Sequence, residues 1–74
     1  MTRAGRFVKV HVVDIGGMDT SVEVLGFAGS AARCRIVDGH YDTWLRAFVP
    51  GADHGRETLV PADKLGPSSP KRIG

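Results

Sequence analysis

Apolar and polar positions alternate along most of this chain. Between Arg6 and Asp14, Val8, Val10 and Val12 alternate with Phe7, Lys9, His11 and Val13. β-Branched residues at this spacing predict a strand with one clean apolar face. Ser21–Phe27 repeats the pattern, with Val22 and Val24 on one face. Ala32–Asp38 places Ala32, Cys34 and Ile36 inward and Arg33, Arg35 and Val37 outward. Thr43–Val49 reads as a fourth strand, with Leu45, Ala47 and Val49 facing away from Trp44, Arg46 and Phe48. Thr58–Pro61 is a short fifth strand, which Pro61 ends because proline brings no N–H to the ladder. No segment carries apolar residues at helical spacing.

The connections follow from turn chemistry. Gly16-Gly17 joins the first two strands as a tight hairpin, since glycine enters positive φ without a Cβ clash. Gly26 inside the second strand marks a bulge or sharp bend. Asp38–Asp42 is expected as a turn on its Asp-Gly signal, and Gly51–Glu57 as a polar, mobile connection. Ala62–Lys64 suits a single 3₁₀ turn that returns Leu65 to the core. Residues 1–5 read as a disordered lead-in and 67–74, rich in Gly, Pro, Ser and basic residues, as a disordered basic tail. One β domain is thus expected over residues 6–66.

Short strands at close spacing predict an all-β barrel or sandwich. Over Thr43–Leu65 the pattern Trp44-x-Arg46-Ala47, a polar loop with Gly55, Leu59-Val60-Pro61 and then Leu65 resembles the second half of the Src-homology-3-like barrels. The resemblance implies a small five-stranded antiparallel barrel with a 3₁₀ turn near the C-terminus. It departs from the family where Ile15–Thr20 is a tight turn in place of the long acidic loop that docks proline-rich peptides, and where Ala62-Asp63-Lys64 lacks the family's tyrosine. The fold expected is therefore of the broad bacterial type. This barrel hosts unrelated functions, so the resemblance does not specify one.

Composition narrows the classes. A chain of 74 residues makes one domain, and its small core makes self-association attractive. The lone Cys34 forms no internal disulfide and reads as a small core residue. No Cys/His spacing suggests a zinc site, and His40 with Asp38 and Asp42 lacks a further ligand, so neither metal nor cofactor is expected. No export signal or long apolar run is found, which favours the cytoplasm and no membrane. Four of the ten Lys and Arg lie near the ends, leaving six against eight acidic residues within 7–66, a formal charge of −2. A domain-wide basic field is absent.

Were the third and fourth strands to pair, Arg33, Arg35, Trp44, Arg46 and Phe48 would share one outward surface. Arg and exposed aromatics suit a protein–protein hot spot, stacking on nucleic acid, or a covered intramolecular cluster. The leading expectation is a non-enzymatic interaction module that self-associates or binds a partner protein through this face. The alternative is a nucleic-acid binder using Arg33, Arg35, Arg46 and the basic tails. A third class is an oligomeric barrel enzyme similar to the plasmid-type dihydrofolate reductase. Thr58-Leu59-Val60-Pro61 lacks that family's pore Gln and Tyr, and no Ser/His/Asp set is arranged for catalysis.

Overall fold

The structure is a computed structural model that describes residues 5–74. The chain is all-β apart from one 3₁₀ turn. Its elements are β1 (Phe7–Ile15), β2 (Met18–Ala28), β3 (Ala31–Ile36), β4 (Gly39–Asp42), β5 (Ala47–Pro50), β6 (Glu57–Pro61), the 3₁₀ turn Ala62–Lys64 and β7 (Ser68–Arg72). Five strands form one antiparallel sheet in the order β6-β3-β2-β1-β7, and β4 and β5 pair only with each other. Among the described residues no ladder joins the edge strands β6 and β7, so the sheet is not hydrogen-bonded into a closed barrel. No helix among these residues is long and apolar enough to cross a membrane.

The first hairpin forms as its glycines require. Gly16 and Gly17 have φ of 63° and 85°, and Asp14 Oδ1 accepts the Gly17 N–H at 2.8 Å. Met18 then faces Ile15 directly. In β2 the pairing with β3 shifts register between Val24 and Gly26, a bulge that bends the strand where the internal glycine predicts it. The third strand also keeps its expected faces, since Ala32, Cys34 and Ile36 are buried while Arg33 and Arg35 are exposed.

Strand β1 departs from strict alternation. It pairs with β7 over Phe7–His11 and with β2 over His11–Ile15. Its buried positions therefore change phase, from Val10 to Val13, and Val12 is left exposed. The change of partner at His11 explains why the Val8/Val10/Val12 face expected from the sequence is not kept. A strand shared in this way sits at a fold of a strongly twisted sheet. The core cluster is Val13, Val22, Ala32, Cys34, Ile36 and Val60, with Ile15, Val24 and Leu65 packed against it. Val10 and Val37 are buried as well, and no aromatic ring is. Each buried Val or Ile stabilises the fold by about 1.5–3 kcal/mol relative to exposure.

Several expectations are corrected. The segment 67–74 is not a disordered tail, because Ser68–Arg72 completes the sheet beside β1. The lead-in expected over 1–5 lies, except for Gly5, outside the described residues. Asp38–Asp42 is not a turn, since Gly39–Asp42 is β4, and the reversal falls at Thr43–Arg46 instead. Leu45, set on the face opposite Trp44, Arg46 and Phe48, is exposed, and so is Leu59 of the Leu-Val-Pro strand. Val37, expected outward, is buried because the chain leaves β3 after Ile36 and donates its N–H to the Ser21 carbonyl at 2.9 Å.

Two outcomes are expected from this packing. Gly39 has φ of 128°, and a Cβ there would collide with the Val49 carbonyl oxygen and Pro50 Cα. Gly39→Ala should destabilise the protein by about 1–3 kcal/mol in denaturant unfolding. Cys34 is fully buried, and desolvation raises its thiol pKa above the ordinary value. A thiol reagent should label the native protein at least about 100-fold more slowly than the denatured chain, read by mass spectrometry.

Candidate interaction surface

The β4–β5 ribbon is the part of the chain least absorbed by the fold. It pairs Gly39 with Pro50, His40 with Val49, Tyr41 with Phe48 and Asp42 with Ala47. Neither strand joins the five-stranded sheet. At the tip, Asp42 Oδ1 accepts the N–H groups of Trp44 at 2.8 Å and Leu45 at 3.0 Å. This local side-chain-to-backbone bonding turns the chain where Thr, Trp and Leu would otherwise extend it. Arg46 completes the reversal at φ 53°, a conformation unusual for a residue with a side chain. Trp44 is 94% exposed and Leu45 67%.

The root of the ribbon is held by a compact set of bonds. Asp38 N–H donates to His54 Nδ1 at 3.2 Å, and Asp38 Oδ2 accepts the Asp53 N–H at 3.3 Å. Gly51 N–H reaches the Asp38 carbonyl at 3.0 Å, and Gly55 N–H the Ile36 carbonyl at 2.8 Å. The Phe48 and His54 rings lie 4.8 Å apart at 45°. The segment between β5 and β6, expected as a mobile connection, is thus a hydrogen-bonded clamp. Acceptance at Nδ1 places the neutral imidazole proton on Nε2. Two basic residues of β7 add to the anchorage. Lys71 Nζ donates to the Val37 carbonyl at 3.1 Å, and the Arg72 guanidinium lies 3.9 Å from the Tyr41 ring centre.

The five residues expected to share a face are therefore divided. β3 lies between β2 and β6 and does not pair with Thr43–Val49. Arg33 faces Glu57 at 3.9 Å and Arg35 faces Glu23 at 3.7 Å, both on the open face of the sheet. Such exposed pairs contribute little stability but occupy the guanidinium groups. Trp44 and Arg46 belong to the ribbon tip. Phe48 sits lower on the ribbon, half-buried against His54. Leu45 was missed as a surface residue, and Tyr41 was missed altogether. The signal for both was Asp42, whose side chain is suited to closing a turn just after itself.

Among the described residues, no group of three or more His, Cys, Asp or Glu is placed to hold a metal ion. His11 Nδ1 is buried without a hydrogen-bond partner, while His40 is exposed at the ribbon edge. The arrangement thus presents an apolar and cationic tip on a fixed root. Compared with known proteins, the chain matches no family model, no curated relative and no solved structure.

The Asp42 bonds give a direct expectation. Asp42→Ala should cost about 0.5–1.5 kcal/mol of stability and lower the fluorescence anisotropy of Trp44, the only tryptophan.

Proposed function

We propose that this protein is a small non-enzymatic interaction module that self-associates or binds a partner protein, and that the β4–β5 tip is its contact element. One observation carries the reading: Trp44 is 94% exposed on a turn that hydrogen bonds hold in shape. A free indole on a rigid support loses little entropy on binding and buries about 150–250 Å². Leu45 and Arg46 beside it complete the residue types that dominate binding energy at small interfaces. Folding alone gives no reason for two large apolar side chains to stand in water at a turn.

The reading narrows the surface expected from sequence. Trp44 and Arg46 are retained, Leu45 is added, and Phe48 becomes a support. Arg33 and Arg35 fall outside it. The nucleic-acid alternative loses support because Arg33 and Arg35 face carboxylates, while Lys71 and Arg72 hold the ribbon root.

A Src-homology-3-like architecture belongs to the same proposal. The order β6-β3-β2-β1-β7 supports it, with a Leu-Val-Pro strand, a 3₁₀ turn and a last strand that returns to the first. The bulged β2 adds the bend that such a curled sheet needs. On this reading Trp44 is not a barrel-strand residue. It lies in a ribbon set between β3 and β6.

Sedimentation and acrylamide quenching across a concentration series provide the test. The expected result is association that shields Trp44, with Trp44→Ala unable to associate yet unchanged in thermal midpoint within about 2 °C. A protein that stays monomeric with Trp44 fully quenchable, and that captures no protein in a pull-down, would remove the proposal.

A further inference from the structure

Besides the tip, a cleft of about 300 Å³ lies at the other end of the ribbon. Ile15, Met18, Ile36 and Val37 supply its apolar lining, and among its charged residues Asp19, Asp38 and Asp53 outnumber the one cation, Lys71, which is bonded to the Val37 carbonyl. Met18 is 71% exposed, and an unbranched thioether adapts its shape to a ring. We propose that the partner of the tip is a second copy of this chain, and that Trp44–Arg46 of each copy docks in the root cleft of the other. This rests on the reading of the tip as the contact element.

Charge complementarity selects this occupant. Arg46 makes no ion pair among the described residues, whose pairs involve Arg33, Arg35 and Arg56. Asp19 makes none either, and it lies directly opposite Asp14 in the β1–β2 register. Like charges facing across a ladder repel, so a cation brought to Asp19 from outside relieves a cost already present. The cleft also offers the apolar surface that Trp44 and Leu45 lack in the monomer.

Symmetry gives the second reason. Tip and root are the two ends of one ribbon. A two-fold axis crossing its middle exchanges them, so both docking contacts form together and the assembly closes as a dimer. The same axis lays two ribbons side by side in opposite directions. β4 and β5 each retain an edge without a strand partner, the kind of edge a second ribbon covers.

The test is a charge exchange read by sedimentation equilibrium. Arg46→Glu places Glu against Asp19, and Asp19→Arg places Arg against Arg46. Each variant alone should raise the dimer dissociation constant at least about 10-fold. An equimolar mixture should recover wild-type affinity, because both contacts in the mixed dimer are again complementary. Thermal unfolding of each variant confirms that it is folded. A mixture no better than its components overturns the proposal, as does a wild-type chain that remains monomeric at about 1 mM, beyond the range of weak specific association. If Trp44→Ala abolishes association while both charge variants dimerise normally, the tip remains the contact element and only the root cleft is wrong. If all three variants associate like wild type, both readings fall.

Discussion

The projecting part of this molecule depends on the hydrogen bonds gathered around Asp38. At Ile36 the chain leaves the sheet, and its backbone groups would lose their ladder partners. Arg56 and Gly55 supply replacements on Ile36, while Gly51, Asp53 and His54 bond to Asp38. Unpaired backbone groups near a core are costly, so the segment before β6 is drawn back over the end of β3. That return path leaves the residues between Gly39 and Pro50 nowhere to run except outward and back. The ribbon is a consequence of satisfying the backbone at its root.

The sheet beneath is economical. Its core holds valine, alanine, cysteine and isoleucine, and every aromatic ring lies outside it. Small β-branched side chains suit the tight interior of a twisted sheet with a bulge in β2. They leave the larger rings for the surface, where Phe7, Phe27 and Trp44 are exposed and Phe48 and Tyr41 brace the ribbon. Basic residues show the same division of labour. Arg33, Arg35, Arg56, Lys71 and Arg72 are engaged inside the molecule by carboxylates, a carbonyl or an aromatic ring. Arg46, at the tip, has no such partner among the described residues, and neither do Arg6, Lys9 and Lys64. The positive formal charge of the whole chain is therefore a poor guide to what the surface offers.

Local chemistry made much of this legible. The alternation in β2 and β3, the Gly16-Gly17 turn, the bulge at Gly26 and the 3₁₀ turn all follow from short-range rules and are present. The candidate surface was legible in part, because Trp44 and Arg46 stand out by residue type alone. Their joining with Arg33 and Arg35 failed because it assumed that neighbouring strands in sequence pair in space. Thr43–Val49 carries strong strand formers, yet the Asp42 carboxylate captures two N–H groups and turns the chain there. The tail 67–74 looked too polar for a strand, but an edge strand needs only backbone partners, and β1 provides them.

By itself, then, the sequence determined that this is a β protein, where β1, β3 and β6 begin and which side chains fill the interior of β3. Those features depend on alternation and turn residues, which act over a few positions. Only the tertiary structure decided that β1 changes partner at His11, that the last residues close one side of the sheet and that Trp44 stands at the end of a ribbon. Each of these depends on a hydrogen bond or contact between residues distant in the chain, and no local pattern records which distant group will answer.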